Sequence, residues 1–338
     1  MKLSSLLQHS LSKIYIALLL TALAVSTQAV AQATSFGYSA EAIEVNVYDR
    51  KLDKQIRLNT QLIAPAAPQP WQTVVLPSNC TGSDDQFWKL TVPVLIQKGY
   101  AVVLLDSFSP RGFSTVCANK FQMWQEARVA DAIAVLKTLK SDARFDPQKI
   151  ALGGHSNGAV TAFMSSFVEA AQVVKTDSLG YAAYFAVGAA CDLSFKNPKL
   201  WAPLLLISGE KDDYTFPEPC QSEAVRLENA ASPVKIKIIK GANHNMSTTG
   251  WFYSNQVQRM PKGIPRMYLR GRDDKGVLHL ELDDGQMVTA PDMIKTYGGF
   301  LLSKTRGGTI GGNWDTFPQV SALIFEHLES AGFKSQLN

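Results

Sequence analysis

The sequence predicts an α/β fold: an open, mostly parallel β-sheet with helices on both faces. Short, continuous apolar runs alternate along the chain with helix-length segments, and such runs are typical of strands buried on both faces. The runs lie at 73–77, 101–106, 149–154, 181–189, 203–208 and 234–239. Because helical segments near 84–98, 121–140 and 157–175 separate them, the pattern indicates β-α-β units in a parallel sheet.

The two ends of the chain depart from this alternation. Residues 42–48 and 56–63 alternate apolar and polar side chains, which predicts an antiparallel pair at one edge of the sheet. After residue 250 the sequence predicts Gly- and Pro-rich turns, a hairpin at 267–289 and a terminal helix at 316–331. Since no linker or internal repeat divides the chain, we interpret 34–338 as a single domain in which 250–315 is an insertion before the last helix and a candidate lid.

The first 33 residues have the pattern of a secretory signal peptide. Lys2 and Lys13 precede an apolar run at 14–25, and small residues follow, with the motif Ala31-Gln32-Ala33. The alternative is a membrane anchor, but the run is short for the roughly 20 residues that a membrane span needs. We therefore expect cleavage after Ala33 or Ala29 and a mature protein outside the membrane. The pattern does not distinguish the periplasm from the extracellular medium.

Composition limits the classes of partner and cofactor. With 46% hydrophobic and 18% charged residues, the chain can bury a large core. Its formal charge of +4 falls to +2 without Lys2 and Lys13, which argues against nucleic acid as a partner. Four cysteines in an exported chain predict two disulfides with three possible connectivities, buried free thiols being the alternative. Without a C-x-x-C motif or a nearby histidine cluster, we expect no metal site.

The motif GHSNG at 154–158 identifies Ser156 as the candidate nucleophile. It stands between an apolar run and a helical segment, which is the strand–turn–helix context of a nucleophile elbow. Glycines on both sides permit a sharp turn that a Cβ atom would obstruct, so that Ser156 is exposed in a strained conformation.

A serine hydroxyl needs a general base, and His244 is the candidate. It lies in a loop directly after the run at 234–239, and such loops line the ligand crevice of open α/β sheets. His155 occupies the variable position of the elbow and is expected to point away from the reaction side. His279 lies in the expected hairpin and His327 in the terminal helix.

The triad acid is expected after the run at 203–208, because the chain order on this type of fold is Ser, Asp, His. Asp212 and Asp213 both qualify, and Glu210 is a third candidate. We favour Asp212, since the acid usually follows the glycine of this turn, Gly209, by three residues.

Two backbone N–H groups should bind the oxyanion of the tetrahedral intermediate. The amide of Asn157 follows from the geometry of the elbow. The second donor is expected in the loop after 73–77, where we prefer Cys80 to Asn79, although either amide could turn inward.

Taken together, these motifs resemble the dienelactone hydrolase-like branch of the α/β-hydrolase superfamily, particularly its secreted, cysteine-containing members. The resemblance covers roughly residues 70–250. The matching stretches are Cys80-Thr81-Gly82, Gly99-Tyr100, 106–112, Arg128 with Asp131, 154–158, 209–213, Cys220 and His244.

The resemblance implies an eight-stranded sheet and cofactor-free hydrolysis of small-molecule esters or lactones. The usual strand order of the superfamily also favours the disulfides Cys80–Cys117 and Cys191–Cys220. One departure concerns the oxyanion loop, where relatives often have His-Gly before the cysteine and this chain has Ser78-Asn79. The length of 250–315 is a second departure, so the substrate cannot be transferred from relatives.

The leading hypothesis is a secreted serine hydrolase that cleaves carboxylic esters or lactones through an acyl-enzyme. Aromatic residues near the site would suit an apolar substrate, although ordinary packing explains them equally well; they are Phe108, Phe113, Trp251 and Phe252. The alternatives are a peptidase with the same triad and a non-catalytic binding protein on the same fold. The oligomeric state does not follow from the sequence.

Overall fold

A computed structural model describes residues 32–33, 37–119, 122–246, 250–258, 265–292, 306–312 and 316–337. The strands, in chain order, are β1 (Gln32–Ala33), β2 (Ser39–Ala42), β3 (Asn46–Asp49), β4 (Lys54–Arg57), β5 (Asn59–Ile63), β6 (Trp71–Pro77), β7 (Ala101–Asp106), β8 (Phe145–His155), β9 (Ala183–Val187), β10 (Leu193–Ser194), β11 (Leu204–Gly209), β12 (Val234–Ile239), β13 (Gly250–Gln258), β14 (Met267–Arg272), β15 (Leu278–Leu282), β16 (Met287–Thr289) and β17 (Arg306–Gly312). The helices are α1 (Gln86–Gln97), α2 (Gln125–Lys140), α3 (Asn157–Ser165), α4 (Val168–Val173), α5 (Pro217–Asn229) and α6 (Thr316–Ser330), with a 3-10 turn at Ser109–Arg111.

One large sheet organises the molecule, with the order β1-β2-β5-β7-β6-β8-β9-β11-β12. The neighbours from β7 to β12 are parallel, whereas β1, β2 and β5 run antiparallel at one edge. Eight strands form the expected mostly parallel sheet, and the two-residue strand β1 extends its antiparallel edge. The predicted fold class is confirmed.

Apolar layers cover both faces of this sheet. Val74 and Leu76 of β6 pack in a cluster with α1 and α6, whereas Val75 belongs to a second cluster with α2, α3 and α5. All six residues of β7 are buried, as are all six of β11. Because each large apolar side chain contributes about 1.5–3 kcal/mol when buried, these central strands form a rigid base for the loops at their ends.

The loops after β6, β8, β11 and β12 leave the same edge of the sheet, since these strands are parallel. They carry Cys80, Ser156, Asp212 and His244, in that order. The carboxyl ends of parallel strands thus bring residues that are far apart in the sequence to one crevice.

The predicted antiparallel start is divided into two ladders. The segment 42–48 contributes to β2 and β3, and the segment 56–63 contributes to β4 and β5. β2 pairs with β5 in the large sheet, whereas β3 and β4 form a separate hairpin whose turn is closed by the carboxylate of Asp49. Between the ladders, Leu58 donates to Val45 and Ile43 to Thr60, so that the chain continues through a bend.

The helix predicted at 157–175 is interrupted near Phe167. Phe167 is extended, fully buried and bridged to Leu200, and the Ser166 carbonyl accepts the amide of Trp201. These contacts end α3 and begin α4. A further difference is α5, which the sequence analysis does not predict as a helix.

The region after residue 250 contains more strands than the predicted hairpin. β14, β15 and β16 form an antiparallel meander that β10 extends in parallel to four strands. β13 and β17 form a separate antiparallel ribbon. Parts of 250–315 lie outside the described residues, and a role of this region as insertion or lid stays a prediction. The leader 1–33 lies outside them too, apart from Gln32 and Ala33.

Candidate active site

Ser156 occupies a strained turn between β8 and α3. Its backbone angles are φ 55° and ψ −120°, a combination that a non-glycine residue rarely adopts. A Cβ atom at Gly154 would lie 2.7 Å from the carbonyl carbon of Gly158, and one at Gly158 would lie 2.2 Å from the Pro77 oxygen. Both glycines are therefore required because other backbone segments approach them closely.

Ser156, His244 and Asp212 form a continuous relay. Ser156 Oγ lies 2.9 Å from His244 Nε2, and His244 Nδ1 lies 2.9 Å from Asp212 Oδ2. All three residues are buried, with exposures of 4%, 3% and 2% respectively, so the strained conformation of Ser156 is as predicted but its expected exposure is wrong. The structure thus brings together the predicted nucleophile, base and preferred acid.

Backbone and side-chain donors keep Asp212 ionised. Its Oδ1 accepts the amides of Tyr214 and Thr215 at 2.9 and 2.8 Å, and Oδ2 accepts the Thr215 hydroxyl at 2.8 Å. Burial acts to raise the pKa of Asp212, but His244 and these hydrogen bonds hold it below its usual value. An ionised Asp212 places the ring proton of His244 on Nδ1, which leaves Nε2 as the acceptor for the Ser156 hydroxyl.

The other two acid candidates face elsewhere. Asp213 accepts the amide and hydroxyl of Thr309 at 2.7 and 2.8 Å, and so connects this loop to β17. Glu210 accepts the amide of Gly241 at 2.8 Å. Of the three acids, Asp212 is the one in contact with His244.

Thr215 is a site residue that the sequence analysis did not identify. Its hydroxyl lies 2.9 Å from His244 Nδ1 and 3.0 Å from the Gly188 carbonyl, in addition to its bond to Asp212. A hydroxyl three residues after the acid in a turn is a pattern that could have suggested it. The Thr215 hydroxyl thus contacts both Asp212 and His244 and helps to fix their relative position.

The remaining histidines do not contact Ser156 in the described part of the chain. His155 stacks on Phe87 and its Nε2 lies 3.1 Å from the His244 carbonyl, so it supports the loop of the base from behind. Burial lowers the pKa of His155 to about 3, which keeps the ring neutral. His279 pairs with Asp273 in the meander, and His327 is buried in α6.

In the part of the chain that the structure describes, the backbone N–H groups of the two candidate oxyanion donors, Asn157 and Cys80, are not used in hydrogen bonds of the fold. Asn157 is the first residue of α3, where a helix leaves its amides without intrahelical acceptors. The amide of Asn79 donates to Asp85 at 2.7 Å, whereas that of Cys80 has no acceptor within the ranges that the structure describes. This arrangement favours Cys80 over Asn79.

Two disulfides fasten the loops at this edge. Cys80 is joined to Cys117 and Cys191 to Cys220, each pair with a Cα–Cα distance of 4.9 Å. This is the pairing that the resemblance favours. The first bridge holds the loop that carries the candidate oxyanion donor Cys80, and the second connects the loop after β9 to α5, which follows the candidate acid Asp212.

Arg128 is a second residue whose contacts the sequence does not reveal. It lies on α2, and its guanidinium donates to the Ser78 carbonyl and to the side-chain carbonyl of Asn157. Phe108 is buried under this guanidinium with its ring centroid 4.7 Å from Cζ, so for Phe108 ordinary packing, one of the two interpretations that the sequence left open, is the correct one. Phe113 packs in the small cluster around Cys80, and the side chains of Trp251 and Phe252 lie outside what the structure describes.

Among the described residues, no group of three or more His, Cys, Asp or Glu side chains is placed to hold a metal ion. Across the same part of the chain, no helix has both the length and the apolar character that a membrane span requires.

Comparison with known proteins gives the family. Residues 58–252 match the model of the dienelactone hydrolase family. A curated relative is YuxL of Bacillus subtilis strain 168, described as an uncharacterized peptidase, which is 24% identical over 229 residues. This match covers 58% of the present chain and 34% of the relative, so the chain spans about a third of that protein's length.

Solved structures of similar proteins include an esterase and a peptidase. The propionate-bound esterase of the planctomycete Thermogutta terrifontis has 15% identity and a TM-score of 0.46, with 66% of this chain and 88% of that chain covered. Dipeptidyl peptidase 4 of Porphyromonas gingivalis has 18% identity and a TM-score of 0.46, with 62% and 33% covered. Since the family model matches more than half of the sequence, the chain belongs to the dienelactone hydrolase family.

Proposed function

We propose that this protein is an exported serine hydrolase that cleaves small-molecule carboxylic esters or lactones without a cofactor. The observation that carries the proposal is the relay from Ser156 through His244 to Asp212, with both hydrogen-bonded distances at 2.9 Å. Membership of the dienelactone hydrolase family supports hydrolytic chemistry on such substrates.

The mechanism follows from the positions of these atoms. Ser156 Oγ attacks the ester carbonyl carbon while His244 Nε2 takes the hydroxyl proton, and Asp212 stabilises the resulting imidazolium. The amides of Asn157 and Cys80 donate to the oxyanion. When the carbon–oxygen bond to the alcohol breaks, His244 returns its proton to the leaving oxygen and the acyl group stays on Ser156.

Deacylation repeats these steps with water. His244 Nε2 removes a proton from water as the water oxygen attacks the acyl carbon, and a second oxyanion forms between the same two amides. Breakage of the bond to Oγ then releases the carboxylic acid and restores the Ser156 hydroxyl. In a lactone the leaving alcohol remains attached to the acyl group, so one hydroxy acid is released.

A fluorophosphonate probe tests the nucleophile. We expect the wild-type protein to be labelled and Ser156→Ala to lose both labelling and esterase activity. Ser165→Ala is the matched control, because it removes a different buried hydroxyl, at the end of α3, that has no hydrogen-bond partner in the described structure. Undiminished labelling or turnover in Ser156→Ala would contradict the proposal.

A peptidase is the second candidate, because the Bacillus subtilis relative is described as one. The same triad can hydrolyse amides, so a substrate panel separates the two functions. We expect turnover of p-nitrophenyl esters of several chain lengths and far slower turnover of peptide anilides. Efficient cleavage of the anilides with weak ester turnover would favour the peptidase.

Export is supported by the two disulfides, which persist in oxidising compartments. The site of leader cleavage has a structural consequence, because Gln32–Ala33 pair with Ser39 and Ala40 as β1. Cleavage after Ala29 retains this strand, whereas cleavage after Ala33 removes it. Intact mass measurement of the exported protein distinguishes the two sites, and an uncleaved chain confined to the cytoplasm would contradict export.

A further inference from the structure

Arg128 is a fully buried cation without an ion pair. Its exposure is 0%, and among the described residues no carboxylate lies within ion-pair distance of its guanidinium. The nearby Asp131 instead forms a two-pronged pair with Arg111, at 2.8 and 2.9 Å. Burying an unpaired charge lowers the stability of the fold. We therefore expect Arg128 to have a functional role that offsets this cost.

The guanidinium connects the two segments that carry the proposed oxyanion donors. One Nη atom donates to the Asn157 side chain, and the backbone amide of the same residue is the first donor. The other Nη atom donates to the carbonyl of Ser78, two residues before the amide of Cys80. The distance between the two donors therefore depends on this bridge.

Neighbouring side chains hold the same arrangement. Gln125, one turn before Arg128 on α2, donates to the same oxygen of Asn157 at 3.0 Å. Its own oxygen accepts the Thr161 hydroxyl at 3.1 Å, which fixes the amide orientation. On the far side of the loop, Asp85 accepts both the amide and the side-chain nitrogen of Asn79.

Arg128 remains charged in this environment. Burial lowers its pKa to about 10, and the more distant carboxylates of Asp131 and Asp106 oppose that shift. At neutral pH the group is thus a cation in a low-dielectric interior, where its field acts over a longer range than in water. Its Nε has no hydrogen-bond partner in the described structure, so its contacts are concentrated on the two oxyanion segments.

We propose that Arg128 is a positioning residue of the oxyanion hole, which sets the separation of the Cys80 and Asn157 amides and adds a positive field there. The inference rests on the proposed hydrolase function. Because charge develops on the carbonyl oxygen only in the transition state, Arg128 stabilises the transition state more than the bound substrate.

The test compares Arg128→Met, which removes the charge and the bridge, with Arg128→Lys, which keeps the charge but cannot make both bonds. We expect kcat for a short p-nitrophenyl ester to fall by about 10- to 100-fold in Arg128→Met, and by less in Arg128→Lys, with KM changed less than about 3-fold. The Ki of a trifluoromethyl ketone should rise in parallel with the loss of kcat, since its adduct places an oxyanion in the same site.

Arg144→Met is the control, because Arg144 forms surface ion pairs with Glu41 and Asp142 away from the site. It should retain wild-type kcat. A double-mutant cycle adds Asn157→Ala, which removes the side-chain acceptor and leaves the oxyanion amide. If Arg128 acts through Asn157, the double variant Arg128→Met/Asn157→Ala will lose little more activity than Arg128→Met alone.

A folded Arg128→Met with wild-type kcat and Ki would overturn the inference. So would a loss confined to KM, which indicates a packing role. If Arg128→Met does not fold, the variants Arg128→Lys and Asn157→Ala test the inference in its place. Unchanged kcat in both would refute the proposal that Arg128 positions the oxyanion amides through Asn157 and Ser78. These outcomes leave labelling of Ser156 intact, whereas failure of the proposed function would show as undiminished labelling of Ser156→Ala.

Discussion

Two loops at the carboxyl edge of the sheet each bury an aspartate, but the pKa of this residue is raised in one loop and lowered in the other. The oxyanion loop (78–85) and the acid loop (209–215) each follow a buried strand, and each contains a buried aspartate that accepts backbone amides. Burial raises the pKa of Asp85 to about 7, whereas the pKa of Asp212 is lowered despite its burial.

The difference lies in the groups that each carboxylate contacts. Burial acts to raise the pKa of Asp212, but the bond to His244 and the amides of Thr215 and Tyr214 together outweigh this loss of hydration. Asp85 has only amides and the distant charge of Arg128, which offset part of its burial. Burial alone therefore does not set the pKa of these two carboxylates, since amide donors surround both and Asp212 also bonds the His244 ring.

The largest expected effect is on the acid loop. Asp212→Asn should lower kcat by about 10³- to 10⁴-fold, because the amide no longer stabilises the imidazolium or selects the Nδ1–H tautomer. Asp213→Asn is the matched neighbour, since Asp213 bonds Thr309 rather than His244. Steady-state kinetics on a short ester should show less than about a 3-fold change for Asp213→Asn. Equal losses in both variants would contradict the assignment of the acid.

A smaller effect is expected at Thr215. Thr215→Val removes the hydroxyl that bonds Asp212 and lies beside His244, and kcat should fall by about 10-fold, the worth of one good hydrogen bond. Thr215→Ser keeps the hydroxyl and should recover most of the activity. If valine and serine behave alike, the hydroxyl is not what positions the relay.

The disulfides should affect stability more than the chemical step. Replacing Cys80 and Cys117 by alanine removes the cross-link between residues that are 37 positions apart in the sequence. Replacing Cys191 and Cys220 removes the one between residues that are 29 positions apart. Chain entropy predicts a loss of about 3–4 kcal/mol for either pair. Denaturant unfolding measures this loss. A pair whose removal leaves the free energy of unfolding unchanged would show that its bridge is not formed in the folded protein.

The last expected effect concerns the pH dependence of stability. Because the pKa of Asp85 is raised, its ionisation destabilises the fold, a cost fully present above about pH 7 and relieved as the pH falls toward the unfolded value of 3.8. Asp212 has the opposite sign: its stabilisation is present above 3.8 and is lost as the pH falls through its lower folded pKa. Between pH 4 and 7, the ionisation of Asp85 should therefore lower the free energy of unfolding of the wild type as the pH rises. In Asp85→Asn this decline should be smaller. Thermal unfolding across this range checks the slope, and identical slopes would contradict the raised pKa.

The sequence was most informative where local pattern and tertiary environment agree. The apolar runs at β7 and β12 match the observed strands residue for residue. β7 is buried along its whole length, as a continuous apolar run predicts, whereas β12 is an edge strand whose middle residues are partly or fully exposed, so the expectation of burial on both faces is wrong for β12. The bend between β2 and β3 and the break at Phe167 depend on contacts with remote segments, which no local pattern contains. Of the two adjacent aspartates, the spacing of three residues from Gly209 favoured Asp212, and Asp212 is the one that contacts His244.

The site residues also fall into two groups, those that the sequence predicted and those that only the folded structure revealed. Ser156 and His244 were predicted because their positions follow from strand order and from the elbow motif. Thr215 and Arg128 act through contacts with segments that are distant in the sequence, so their contribution required the folded structure. Asp85 bonds Asn79 within its own loop, but its raised pKa follows from burial by the folded chain.

The most direct test of the account is the location of the acyl group during turnover. Rapid acid quenching of the enzyme with a hindered, slowly deacylating p-nitrophenyl ester, followed by peptide mass mapping, reports which residue carries it. If Ser156 is the nucleophile, an acyl adduct will form on it with the first release of p-nitrophenol and will be absent from Ser156→Ala. An adduct on another residue, or full turnover by Ser156→Ala, would contradict this assignment.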